Sequence, residues 1–212
     1  MSQILDYGSL RFAQYAVTLH GVPLRFWAMV DGVLLDEATQ VEDVPEECLD
    51  DDCFGNDEEQ NFLCGCVFDC VKTLCAGLQI VSDTGGLEGK RVLELGAGMG
   101  LPGLWAASKG ALVTLTDAHP GTLHLMSRNL QLNVLQADVQ QLSWTMEPPS
   151  PRHEFDLVIA SDVFYNADVS GVDLLAPAFF ATAAASLREG GELLLAYKAR
   201  RRASLMSAFV HA

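Results

Sequence analysis

An acidic residue followed by three glycines at alternate positions, Glu94, Gly96, Gly98 and Gly100, lies within the run VLELGAGMGLPG. Glycines so placed let the backbone take positive φ and come close to a ligand, and the carboxylate beside them can receive a ligand ammonium or hydroxyl. A dinucleotide fingerprint of the form GxGxxG would need glycine at position 101, where Leu101 stands. The observed acidic-x-Gly-x-Gly-x-Gly spacing points instead to a methyl donor, S-adenosylmethionine.

Such a pocket needs a carboxylate for two ribose hydroxyls and an apolar or aromatic cover for adenine, besides the close backbone approach. Asp117, at the end of LVTLTD, is placed to supply the carboxylate, and Trp144 in LSW the cover. Both positions have a second reading: Asp117 as the N-cap of the helix after His119, and Trp144 as core packing. Farther on, ASDVFYN sets Asp162 and Tyr165 three residues apart. A carboxylate and a phenol near an amine of reference pKa about 10.4 can orient it and help remove its proton. The alternative for this pair is a turn cap and a packing ring. An Asn-Pro-Pro-aromatic tetrad, which would indicate methylation of a base amine or a glutamine amide, is absent from this position.

Alternating elements must hold these residues. Residues 91–98 read as a buried strand, 101–110 as a short helix closed by Gly110, 111–117 as a second strand and 122–133 as the next helix. A brief third strand is expected within 136–144, and PPSP breaks the chain before a fourth strand in 154–165. A helix over 172–189 follows, kinked at Pro177 and stopped by Gly190 and Gly191, and a fifth strand over 192–199. Strand and helix in alternation predict a doubly wound, mostly parallel α/β sheet with its ligand at the carboxyl ends of the central strands. Upstream, residues 61–81 carry apolar positions at helical intervals, and 15–36 alternate around turns at 21–23 and 31–32. The division expected is N-terminal strands with an acidic loop over 1–60 and a ligand-binding domain over 61–212.

With 212 residues, half of them apolar, the chain can bury one good core. Its net charge of −15 is uneven: no Lys or Arg lies between Arg25 and Lys72, while acids crowd residues 36–59. That balance disfavours nucleic acid as a partner. The six cysteines, at positions 48, 53, 64, 66, 70 and 75, lack paired CxxC arms or nearby histidines, so no metal site is expected. No signal-like opening or membrane-length apolar run is seen, which points to an intracellular, reducing compartment, the cytoplasm first and the nucleus second.

The order and spacing of ELGAGMGLPG, LTD, LSW and FDLVIASDVFY resemble the seven-β-strand protein methyltransferases with a DxxY motif, the lysine methyltransferase group known as methyltransferase family 16. The likeness covers about residues 61–209. It implies a Rossmann-like domain, donor contacts by Phe68, Gly96, Ala97, Gly98, Asp117, Trp144 and Ser161, and substrate-side roles for Asp162 and Tyr165. Phe68 stands in GCVFD where the family usually has Trp. The implied activity is transfer of a methyl group to a side-chain nitrogen of a protein substrate, lysine first, by a monomer or a transient complex with that substrate. Histidine, arginine or a small amine is the alternative acceptor, and a non-catalytic binding module the alternative class. Family members continue past strand five with an antiparallel strand pair for which no residues remain here. The expected sheet is therefore incomplete at its C-terminal edge, with LLLAY as an open apolar strand.

Overall fold

A computed structural model of the chain describes residues 4–7, 10–29, 33, 38–40, 67, 69–148, 153–164 and 174–198. Among these residues five strands form a parallel sheet: β5 (Arg91–Leu95), β6 (Leu112–Asp117), β7 (Asp138–Gln141), β8 (Phe155–Ser161) and β9 (Leu187–Ala196). Their spatial order is β7-β6-β5-β8-β9. The chain steps outward from β5 through β6 to β7, then returns past its starting point to lay β8 on the other side. The carboxyl ends of β5 and β8 therefore flank the switch point where open α/β sheets hold ligands. In register, Glu94 pairs with Ile159, which brings Gly96 level with Ser161.

Residue alternation decides which side chain meets which layer. Val92, Leu157 and Ile159 enter one core beneath α1 (Cys70–Gly85), α2 (Leu101–Ser108) and α3 (Pro120–Leu132). Leu93, Leu95, Val158 and Ala160 enter a second core beneath α4 (Ala176–Ser186), together with Val163, Phe164 and Phe179. Strands buried on both faces have no polar side, which is why they read as near-continuous apolar runs.

The N-terminal segment forms a separate antiparallel sheet. β1 (Ile4–Tyr7) and β4 (Thr39–Gln40) pair with one side of β2 (Leu10–Leu19), and β3 (Val22–Met29) with the other. β2 begins before the expected alternation at Tyr15, and β1 precedes it. The first hairpin turn is as expected: Leu19 pairs with Val22, leaving a two-residue loop in which His20 and Gly21 take φ of 46° and 79°. This sheet packs on α2 and α3 and shares the first core with them, and buried Trp105 of α2 donates its indole N–H to Leu19 O at 2.9 Å.

Three expectations need correction. The first helix runs over Cys70–Gly85 and ends four residues later than expected, at Gly86, whose φ of 71° suits a helix stop. Pro177 makes no kink, because it lies in the first turn of α4, where its missing N–H has no helical partner to lose. The two glycines do not stop that helix. β9 starts directly at Leu187, paired with Phe155, and residues 188–191 form an irregularity before pairing resumes at Leu157 and Glu192. Among the described residues the fifth strand has β8 as its one partner.

Candidate functional site

A cavity of about 440 Å³ opens at the switch point, bounded by the ends of β5, β6 and β8 and by the segment after β7. Glu94, Gly96, Ala97, Gly98, Gly100, Asp117, Trp144, Ser161 and Asp162 all line it. Two predicted residues, Phe68 and Tyr165, lie outside the described residues, as do the acidic stretch 41–60 and cysteines 48, 53, 64 and 66. Cys70 and Cys75 are buried thiols, as expected of small apolar-type residues.

The glycine turn is built as its composition predicts. Gly96, Gly98 and Gly100 have φ of 65°, 53° and 76°, and Gly100 opens α2 as its N-cap. A Cβ on Gly96 would lie 2.9 Å from Val163 Cγ1 and 3.1 Å from Trp144 Cζ2, so both backbone conformation and space demand glycine there. Trp144 reaches over this turn while its other edge packs T-shaped on Phe179, ring centroids 5.2 Å apart. It is therefore both a cavity wall and part of the second core.

Asp117 holds two backbone amides. Its Oδ2 accepts from Gly98 N and its Oδ1 from His119 N, each at 3.0 Å. The helix N-cap is not Asp117 but His119, whose Nδ1 accepts from Gly121 N at 3.1 Å. An ionised carboxylate has about four acceptor directions, so two remain open to a ligand in an orientation that the backbone fixes.

Glu94 serves the fold. Alternation along β5 turns it toward α2, where its Oε2 accepts from Gly103 N at 2.8 Å, and it is 1% exposed. Burial pushes its pKa up to about 8; the Gly103 amide opposes that rise and nearby Asp117 adds to it. Gly103, unremarked within the motif, is what lets the helix come so close. A Cβ on it would run into Leu115 Cδ2 and lie 2.6 Å from Glu94 Oε2. Burial also pushes the Cys75 thiol far above its ordinary value, with Glu94 adding to the effect, so this cysteine is inert.

At the end of β8 the arrangement differs. Ser161 Oγ is buried with no hydrogen-bond partner among the described residues. Asp162, 4% exposed, takes φ of 54°, and its amide donates to Ala196 O at 2.8 Å. A non-glycine residue held in the left-handed region is uncommon, aspartate being one of the types that tolerate it. The turn aims this residue into the cavity instead of continuing the strand. Val71, Met99, His119, Leu142 and Leu175 also line the cavity. Their residue types carry no signal that separates them from core residues in a sequence.

Comparison with known proteins accords with this geometry. Residues 56–210 match the family model described as lysine methyltransferase. The chain is 37% identical over 105 residues to the protein N-lysine methyltransferase METTL21A of Danio rerio, covering 47% of each chain. It is 35% identical over 102 residues to the histone-arginine methyltransferase METTL23 of Homo sapiens, covering 44% of this chain and 52% of that one. The chain thus spans about half the length of these curated relatives. Among solved structures, a 16S rRNA N2 G1207 methyltransferase of T. Thermophilus in complex with AdoMet and guanosine superposes with a TM-score of 0.62 at 22% identity. That alignment covers 92% of this chain and 45% of the other, and it shows a shared fold.

Proposed function

This chain belongs to the lysine methyltransferase family, and on that premise we propose that it transfers a methyl group from S-adenosylmethionine to a side-chain nitrogen of a protein, a lysine ε-amine first. The observation that carries the reading is the pairing across one cavity of a glycine turn and a turn-aimed carboxylate, Asp162.

The residues present fit the donor. The cavity volume, about 440 Å³, falls in the range of small-molecule sites. Ser161 Oγ is a buried hydroxyl without a partner among the described residues, as expected of a group that a ligand completes. The amides of the glycine turn, the open acceptor directions of Asp117, the ring of Trp144 and Ser161 Oγ would hold the donor, with Phe68 assigned by resemblance alone. Bound there, S-adenosylmethionine supplies an electrophilic methyl carbon attached to a sulfonium.

The chain's own contribution is positional. A lysine amine arrives protonated, with a reference pKa of about 10.4, and must present a lone pair. Asp162 receives an N–H of that amine and takes up its proton; Tyr165, assigned by resemblance alone, would orient the amine. Alignment with exclusion of water contributes up to roughly 7–11 kcal/mol in such transfers, and proton removal by a placed base about 10²–10⁴-fold. The similarity to a histone-arginine methyltransferase favours arginine as the second reading of the acceptor. We further read the protein as an intracellular monomer that meets its substrate transiently, which size exclusion and cell fractionation would test.

The test begins with calorimetric titration of S-adenosylmethionine and its demethylated product into the folded chain. Micromolar binding that is lost in Asp117→Ala supports the reading, and absence of binding by folded wild-type protein overturns it. Label transfer to lysate proteins, followed by mass spectrometry, then separates lysine from arginine, while binding without transfer marks a non-catalytic module. Asp162→Asn, which keeps a side chain tolerant of the left-handed turn, is expected to bind donor normally and lose about 10²–10⁴-fold in transfer.

A further inference from the structure

Among the described residues the N-terminal sheet does not line the cavity, yet the side chain of Asn129 links it to the turn that does. Among the described residues β3 is an edge strand, with β2 along one side. Its other side presents N–H and C=O groups at every second residue that must find partners when buried. Asn129 of α3 and Asn133, the residue that caps the C-terminus of that helix, supply them. Asn133 Oδ1 accepts from Arg25 N at 2.9 Å and its Nδ2 donates to Arg25 O at 2.6 Å, reproducing a backbone pair. Asn129 Oδ1 accepts from Trp27 N at 2.7 Å. The match is geometric: four helical residues rise about 6 Å, and two strand residues about 6.6 Å.

The two asparagines differ in their remaining contacts. Asn133 Nδ2 also reaches Asn129 O, within the helix. Asn129 Nδ2 instead donates to Met99 O at 3.0 Å, between Gly98 and Gly100. Asn129 is fully buried, so water does not compete for either bond. The glycine turn is thus tied by side chains at two successive residues, by Asp117 at Gly98 N and by Asn129 at Met99 O. A segment with glycine at every second position has unusual backbone freedom and gains order from such ties.

We propose that Asn129 is a positioning residue that couples the donor-binding turn to the N-terminal sheet, so that donor affinity depends on its bridge from Trp27 N of β3 to Met99 O of the turn. The ligand named rests on the reading above; the coupling itself does not. Asn133 is the internal control, since it holds the same strand edge without reaching the turn.

The experiment compares Asn129→Ala and Asn133→Ala with wild type at a temperature where circular dichroism shows all three folded. S-adenosylmethionine binding is measured by calorimetry and amide exchange is followed over residues 96–101. Asn129→Ala is expected to raise the donor Kd by about tenfold, the scale of one lost buried hydrogen bond, and to speed exchange in the turn. Asn133→Ala is expected to lower Tm while leaving Kd and turn exchange at wild-type values. Equal effects of the two variants, or an unchanged Kd and turn in Asn129→Ala, overturn the proposal. Should Asn129→Ala not fold, Asn129→Ser, whose short hydroxyl does not span both partners, takes its place under the same criteria. Should wild type not bind the donor, the ligand assignment fails, and the exchange comparison alone decides the coupling.

Discussion

The two banks of the cavity are made differently. On the β5 and β6 bank the carboxylates are engaged by the fold: Glu94 by the amide of Gly103, Asp117 by the amides of Gly98 and His119. On the β8 bank Ser161 Oγ is buried without a partner among the described residues, and Asp162 occupies a strained backbone region. Acidic residues beside a glycine turn thus shape a pocket first and meet a ligand second. Polar groups that the fold leaves incomplete, or holds at a cost in backbone energy, are where a ligand or substrate has most to offer.

Glu94→Gln breaks this comparison most strongly if it is wrong. The carboxyl has an ordinary value of 4.5 and one of about 8 in the folded protein, raised chiefly by burial. Between those pH values the native state keeps a proton that the unfolded chain has lost, so wild-type stability falls as pH rises through the window. Gln retains an acceptor for Gly103 N and has no such proton to lose. Urea denaturation should therefore show no advantage at pH 4 and a gain on the order of 3 kcal/mol by pH 8. A difference that does not change with pH would mean Glu94 is ionised in the folded protein.

Gly103→Ala sharpens the same bank through packing. The added methyl collides with Leu115 and crowds Glu94, and the helix must lift from the sheet. Overpacking of this kind costs about 2 kcal/mol, read as a lower melting temperature, with donor affinity falling alongside. An unchanged Tm would show that α2 has room to move.

The smallest effect belongs to the opposite bank and has two signs. Ser161→Ala removes a buried hydroxyl that has no partner among the described residues, so the unliganded protein should gain about 1 kcal/mol. The same change should weaken donor binding by roughly fivefold, because the ligand loses its partner. If the variant were instead less stable without ligand, the hydroxyl would have a structural partner and the contrast between the banks would disappear.

Much of the site was legible because it is local. The glycine turn, the aspartate ending β6 and the serine and aspartate ending β8 each sit where a strand signal stops, and their types match the backbone they occupy. Gly103 was legible as a glycine but not as a requirement, since its neighbours Glu94 and Leu115 come from two different strands. Asn129 and Asn133 read as ordinary polar positions on an amphipathic helix. Their partners, Trp27 and Arg25, are over a hundred residues away. The glycines near the end of α4 carried a helix-stop signal, yet pairing of Leu187 with Phe155 ended that helix earlier.

By itself, the sequence determined the strand-turn-helix around Gly96, the alternation of elements after it and the kinds of side chain available at each strand end. These follow from periodicity and from conformational preferences that act within a few residues. The tertiary structure decided that β8 lies beside β5, that Ser161 stands level with Gly96, and that Glu94 and Asp117 turn first to backbone amides. Those outcomes depend on pairing and burial between segments distant in the chain, where the environment, not the residue type, sets which partner a polar group finds.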